Sequence, residues 1–297
     1  MKLKLIFLLF FTSSILTTQL VLAAAYPYAP QENVIGCTTT YQVAPGESLL
    51  EVARKFGLGF NQIIEANPGL DPFFPGTITV TVPGSWIVPD PPGKGGIMIN
   101  ISEMRLYYFL SNNEVHEVMT YPIGIGSEGT DTPMGCFRII QKMVNPTWRV
   151  PASIRKENPA LPKEIPPGDD NPLGSHALRL SLGDVLIHST NRPWGIGRKA
   201  THGCIRLYPE DMPTLFGLAS VGTTVTIVRQ PVKVGKSKGN VYIEVHKDDF
   251  LKGFDYGREA RLLLNKKALL GKVDKQKLKQ ALKTKQGFPV DISRNIP

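Results

Sequence analysis

Hydrophobic and polar positions change period several times along the chain, and each change marks an element. Tyr41-Gln42-Val43 reads as a short strand. After the turn Pro45-Gly46-Glu47-Ser48, apolar residues recur at Leu49, Val52, Ala53 and Phe56, the spacing of one helix face. Ser48 fits the N-cap and Gly57 the stop. A second helix is predicted over 61–66, ended by Asn67-Pro68-Gly69. Ile78-Thr79-Val80-Thr81-Val82 then alternates as a closing strand. These elements make a small βααβ unit over 41–84, followed by a Pro/Gly linker over 89–96. Strands are predicted next at 97–101, 105–110, 115–124 and 136–140, with a turn at Ser111-Asn112-Asn113. Short strands with frequent turn signals argue for a β-sandwich or barrel-like sheet rather than βαβ units.

Residues 145–172 are rich in proline and charge and keep no period. A stretch of this length in a compact domain is either a functional lid, here carrying Trp148, or surface filler. The apolar run over 182–187 predicts a strand ending at His188. A loop broken by glycine and proline follows over 191–197, then a second extended segment over 201–207. Residues 221–228 form the last strand of this part. Beyond 230, a strand at 241–245 and a helix at 275–285, capped by Asp274 and stopped by Gly287, predict a small α+β appendage. The expected fold is therefore mainly β.

Composition narrows the setting. With 42% hydrophobic residues the chain can bury a sizeable core, and 297 residues allow two or three domains. Residues 1–25 carry Lys2 and Lys4, an apolar run and the small-residue site Ala23-Ala24-Ala25, the pattern of a secretory signal peptide. No later stretch approaches ~18 apolar residues, so no transmembrane segment is expected. Val34-Ile35-Gly36-Cys37 has the look of a lipoprotein acylation box, but it stands too far beyond the apolar run. Removing the leader leaves 32 basic against 25 acidic residues. Without a basic cluster interleaved with aromatics, an anionic envelope polymer suits this charge better than nucleic acid. Three cysteines are an odd count for an exported chain, and a Cys37–Cys136 disulfide is one way to leave Cys204 free.

The chemistry concentrates in two short strings. Cys204 follows His188 by 16 positions, and a hairpin-like return of that length can bring thiol and imidazole together. A thiol is mostly protonated at neutral pH, and an adjacent imidazole can take its proton and make a nucleophile. Gly203 removes bulk where a carbonyl must approach, and the amides of Gly203 and Cys204 can face a developing oxyanion. Other readings of the same residues are a buried apolar cysteine, a core histidine, or zinc ligation by His188, His202 and Cys204 at an unusual spacing.

His188 followed by Thr201-His202-Gly203-Cys204-Ile205-Arg206 resembles the signature of the L,D-transpeptidase (YkuD-type) catalytic domain. The resemblance implies Cys204 as nucleophile and His188 as its base, oriented through the backbone of Ser189, with His202 as the alternative base. Arg206 would bind a stem-peptide carboxylate, and no metal or organic cofactor is needed. The string over 43–49 with Ala53, Phe56-Gly57 and Ala66-Asn67-Pro68 resembles the LysM module, which implies recognition of peptidoglycan glycan. Glu103-Met104-Arg105-Leu106-Tyr107-Tyr108, Pro122-Ile123-Gly124-Ile125-Gly126 and Tyr242-Ile243-Glu244-Val245-His246 extend the likeness to periplasmic L,D-transpeptidases. The domains expected are a signal peptide (1–25), an N-terminal segment (26–40), LysM (41–84), the catalytic domain (96–229) and a C-terminal subdomain (230–297). The reaction implied is acyl transfer from a peptidoglycan tetrapeptide stem to an amine, either on an outer-membrane lipoprotein or another envelope protein, or on a second stem. A cysteine peptidase passing the thioester to water and an inactive glycan-binding scaffold remain as alternatives.

Overall fold

The computed structural model describes residues 25–91, 93, 95–110 and 116–294. All but the last residue of the expected signal peptide, and the turn expected at Ser111-Asn112-Asn113, lie outside the described residues.

The chain starts with β1 (Tyr26–Pro27) and β2 (Val34–Gln42), then α1 (Leu49–Lys55), α2 (Phe60–Ala66) and β3 (Thr79–Ile87). Ser48 caps α1 as its sequence suggests. Its hydroxyl accepts from Glu51 N at 3.3 Å, and the Glu51 carboxylate accepts from Ser48 N at 2.7 Å. The β2–β3 ladder is longer than the alternation over 78–82 indicates, running from Gln42↔Thr79 back to Val34↔Ile87. Its upstream half includes exposed Thr38, Thr39 and Thr40, which carry no apolar alternation to reveal a strand. There Gly36, at φ +69°, lies so close to Gly84 that a Cβ would stand 2.1 Å from the Gly84 carbonyl oxygen.

The middle part contains β4 (Gly96–Asn100), β5 (Arg105–Leu110), β6 (Glu117–Pro122), β7 (Ile125–Gly126), β8 (Gly135–Val144), β9 (Trp148–Arg149), α3 (Ala152–Glu157), β10 (Glu164–Ile165), β11 (His176–Leu180), β12 (Leu186–His188), β13 (Lys199–Thr201), β14 (Ile205–Arg206), α4 (Met212–Leu218) and β15 (Thr224–Val228). Nine strands form one mixed sheet in the order β1-β6-β5-β4-β15-β8-β11-β12-β14. The sheet curls, because Ile99, Leu106 and Tyr121 from one half share a core with Leu178, Ile187 and Ile205 from the other. Helix α4 closes that core with Met212 and Leu215. Residues 26–27, expected to precede the folded units, are an edge strand paired to β6.

The stretch 145–172 is structured: β9 and β10 pair antiparallel and α3 lies between them. Asn171, fully buried, pins it by donating to the carbonyls of Pro146, Ile165 and Pro166.

The C-terminal part has β16 (Val232–Ser237), β17 (Asn240–Val245), α5 (Tyr256–Lys266), α6 (Lys275–Thr284) and β18 (Val290–Asp291). Asp274 caps α6, accepting from Gln276 N and Lys277 N, and Lys285 ends it in the left-handed region at φ +46°. Alternation gives this sheet two uses. Val232, Val234, Ile243 and Val245 face α5 and α6. Lys233, Glu244 and His246 face the other two parts of the molecule.

There they build a buried ionic junction. Lys233 Nζ approaches Glu103 Oε2 at 2.5 Å and Glu244 Oε1 at 2.9 Å, and donates to the Ile87 carbonyl at 2.8 Å and to Tyr107 Oη at 3.0 Å. His246 Nε2 meets Glu244 Oε1 at 2.7 Å, and Ile87 N donates to Glu244 Oε2 at 2.6 Å. Burial alone would raise the Glu103 carboxyl, but Lys233 and His246 hold it at about 2. Burial opposes the charge on His246, yet Glu103, Glu244 and Glu65 raise its pKa well above the ordinary histidine value. Beside the junction, buried Arg105 donates to Gln62 Oε1 at 2.7 Å and Gly57 O at 3.1 Å and stacks 4.1 Å from the Trp86 ring. The N-terminal βααβ unit thus shares its core with Met98, Tyr107, Phe109 and Val118 of the curled sheet.

Candidate active site

β12 and β14 lie side by side in parallel, with Ile187↔Ile205 and His188↔Arg206 in register. This corrects the hairpin-like return expected from the spacing. Parallel neighbours need a crossover of a dozen residues or more. The 16-residue step from His188 to Cys204 supplies it, through a 3₁₀ turn at Pro193–Gly195 and the strand β13, which pairs with β7. The extended segment expected over 201–207 is likewise broken. His202 and Gly203 form a turn, with Gly203 at φ +97°, a region that favours glycine.

That turn is clasped from two sides. Thr201 Oγ1 donates to Cys204 O at 2.6 Å, and the hydroxyls of Ser127 and Thr130 both donate to Thr201 O at 3.1 Å. A Cβ on Gly203 would stand 3.4 Å from Asp131 O. Among the described residues, neither the Gly203 nor the Cys204 amide has an acceptor within the chain.

His188 is buried at the end of β12, and its Nδ1 lies 2.5 Å from Ser189 O. A carbonyl only accepts, so Nδ1 carries the hydrogen and Nε2 keeps its lone pair. Burial, with the nearby Arg206 charge, depresses the imidazole pKa to about 3, so the ring is neutral. Ser189 is held in turn by its amide, which donates to His176 O at 3.0 Å, and by close packing against Gly174.

Cys204 packs with Leu173, Ala177, Leu186, Met143 and Trp148, the last from β9 of the covering segment. Its Sγ donates to Asp184 O at 3.7 Å rather than to the imidazole. Burial raises the thiol pKa, partly countered by the Leu186 backbone and Arg206. Thiol and imidazole are therefore both uncharged, the imidazole at the end of β12 and the thiol on the residue just before β14.

Arg206 is held by paired backbone hydrogen bonds with Gly124, at 2.9 and 3.0 Å. Burial lowers its pKa and the neighbouring Arg192 lowers it further. Its buried Nε has no partner. Arg192 thus sets a second positive charge near Arg206, and it has no sequence signal beyond its place in the loop. His202 is exposed, with Nε2 3.1 Å from Glu157 Oε2 at the end of α3. Among the described residues His202, the alternative base expected from the sequence, makes no hydrogen bond to Cys204, because the extended segment is broken between them. Cys37 and Cys136 are exposed free thiols in different sheets, so the disulfide considered from the sequence is not formed.

The N-terminal βααβ unit abuts the crossover. Phe60 N donates to Ile196 O at 3.1 Å, Asn61 N to Gly197 O at 3.2 Å, and Arg54 grips Glu210 through two bonds of 2.8 and 2.9 Å. A Cβ on Gly197 would stand 2.1 Å from Phe60 N.

Comparison with known proteins adds to this geometry. The family model described as the L,D-transpeptidase catalytic domain matches residues 94–227, and the LysM domain model matches residues 41–73. A probable L,D-transpeptidase YcfS of Escherichia coli is 38% identical over 264 residues, 84% of this chain and 82% of that protein. The probable L,D-transpeptidase ErfK/SrfK of Salmonella typhimurium is 34% identical over 95% of this chain and 96% of its own length. The probable L,D-transpeptidase YbiS of E. coli is 34% identical over 91% and 92%. Among solved structures, the catalytic domain of an E. faecium L,D-transpeptidase aligns at 23% identity and a TM-score of 0.35, covering 45% of this chain and 96% of that one. With relatives of this name matched along nearly their whole length, the chain belongs to the L,D-transpeptidase family.

Proposed function

We propose that the protein is a cysteine acyltransferase of the bacterial envelope. Cys204 attacks the carbonyl of the diaminopimelate residue in a peptidoglycan tetrapeptide stem. D-Alanine leaves and a thioester forms. An amine then takes the acyl group: a side-chain or terminal amine of an envelope lipoprotein, or the amine of a second stem, which would give a 3-3 cross-link. The observation that carries this reading is His188, neutral and buried, with Nδ1–H fixed by Ser189 O, at the end of β12 beside β14, which Cys204 immediately precedes.

Because both partners rest uncharged, His188 Nε2 takes the thiol proton as sulfur attacks, as a general base, and returns it to the departing amine. The amides of Gly203 and Cys204 suit the oxyanion, and Arg206 with Arg192 suits a stem carboxylate. The LysM unit would hold the glycan, and export through the signal peptide would deliver the enzyme to the periplasm. The test is intact-mass analysis with a tetrapeptide stem. An acyl adduct on Cys204, with transfer to an added amine, is expected. Cys204→Ala should give neither, and His188→Ala should acylate ~10²–10⁴-fold more slowly. Release of D-alanine with no amide product would favour hydrolysis, and full activity of Cys204→Ala would end the proposal.

A further inference from the structure

Positive charge is unevenly distributed. Residues 230–297 hold 16 Lys and Arg against 7 Asp and Glu, whereas residues 26–229 hold 16 against 18. The C-terminal subdomain thus carries the whole positive excess of the chain after residue 25.

On α6, Lys275, Lys279 and Lys283 recur at every fourth position and are all exposed. Like charges so spaced repel and weaken a helix. On α5, Arg258, Arg261, Leu262, Asn265 and Lys266 make one exposed face, with Leu262 54% exposed. Leu270, in the turn that follows, is 41% exposed. Ala260 and Leu264 of α5 and Ala281 of α6 pack into one cluster on the same side of the β16-β17-β18 sheet, away from the ionic junction. The outer faces of the two helices therefore look out together. Among the described residues, none of Arg258, Arg261, Lys275, Lys279 or Lys283 is in an ion pair. Lys266 reaches only exposed Asp90, at 4.0 Å.

We propose that this face docks on the surface of an anionic phospholipid bilayer. The cations answer headgroup phosphates, and their number suits a peripheral, salt-sensitive attachment. The exposed leucines decide between occupants. A soluble polyanion gives them nothing to bury against, whereas the interfacial zone of a bilayer accepts short apolar side chains set among basic ones. Helix α5, with 11 residues, lies on such a surface without entering its core. The inference is independent of the reaction proposed for Cys204.

The test uses residues 26–297, sedimented with vesicles of phosphatidylglycerol mixed into phosphatidylcholine. Binding should rise with the phosphatidylglycerol fraction and weaken at least tenfold between about 0.05 M and about 0.5 M salt. The triple substitution Lys275→Glu, Lys279→Glu, Lys283→Glu should weaken it by more than about a hundredfold, because loss of the three cations alone costs about fivefold each. Leu262→Ser should weaken it severalfold with the salt dependence unchanged. All four positions are exposed, so thermal unfolding should match the parent, and a matching Lys→Gln triple variant guards against helix repulsion as the cause. Equal binding to pure phosphatidylcholine, or undiminished binding by both triple variants, would overturn the proposal. So would a triple variant that keeps vesicle binding but loses retention on purified sacculi, which would assign the face to an anionic glycopeptide polymer.

Discussion

Ser189 O lies 2.5 Å from Nδ1 of His188, the residue that precedes it in the chain. A buried imidazole held in this way has one fixed tautomer and no carboxylate to stabilise its protonated form.

Protonation of His188 should therefore oppose folding. Its folded pKa, about 3, lies below the unfolded value of about 6.5, so the unfolded chain binds more protons as pH falls. Stability on this account is complete above about 6.5 and declines progressively towards 3, by at most about 1.4 kcal/mol per pH unit. Denaturant melts of the parent and His188→Asn between pH 7 and pH 4 isolate the contribution, because other titrating groups are common to both. The acylation rate should also be flat through pH 6.5. An inflection there that disappears in His188→Asn would refute a neutral resting imidazole.

Thiol reactivity should separate the three cysteines. Cys37 and Cys136 are exposed, whereas Cys204 sits under Trp148 with its pKa raised by burial. A maleimide should modify Cys37 and Cys136 first and Cys204 at least tenfold more slowly, since only the thiolate reacts. A carbapenem, which the transpeptidase resemblance suggests as an acylating agent, should mark Cys204 alone. Peptide mapping reads both, and a carbapenem adduct on Cys37 or Cys136 would count against Cys204 as nucleophile.

The contact between His202 and Glu157 joins the turn that precedes Cys204 to the covering segment. Both side chains are well exposed, at 43% and 61%, and pairs of this kind contribute at most about 1 kcal/mol. Glu157→Gln should change KM for a stem peptide by no more than about fivefold, with kcat unaltered. A loss of kcat beyond tenfold would give Glu157 a part in the chemistry itself.

Lys233→Ala should be severely destabilising. It removes the cation between Glu103 and Glu244 and leaves two buried carboxylates with His246 alone to balance them, a change that costs about 3–5 kcal/mol. Deletion of residues 41–83 should act similarly, because Met98, Tyr107, Phe109 and Val118 would lose their cover and Arg105 its partners in Gly57 and Gln62. Soluble expression and thermal unfolding check both. A LysM-deleted protein with a parental melting temperature would show that the shared core contributes little.

Local signals in the sequence were reliable where the cause is local. Ser48 and Asp274 cap the helices they precede, because a cap involves residues two or three apart. Gly203 is different: the sequence suggests only its missing bulk within an extended segment, whereas its positive φ interrupts that segment. Pairing partners were not legible. The apolar run over 182–187 signals a strand ending at His188, of which only Leu186–His188 forms, but not that the next strand would lie parallel. Helix α5 was hidden by its three consecutive leucines, Leu262, Leu263 and Leu264, which obscure the helical period. The hold of Asn171 on three carbonyls resembles an ordinary Asn-Pro turn until the fold encloses it. Lys233 lies 130 positions from Glu103, and nothing near either residue announces the other.

That last separation bears on how such a molecule can change over generations. Lys233, Glu244 and His246 come from the C-terminal sheet, Glu103 from the catalytic part and Glu65 from the LysM helix, yet they neutralise one another in a single dry space. The three parts are therefore not interchangeable cassettes. A graft that brings in a foreign C-terminal subdomain must bring a lysine and a histidine to the same depth, or the acids it meets will be stranded. Recombination between relatives should tolerate crossovers within one part more readily than at the seams between parts, where sequence alone would suggest the safest place to cut.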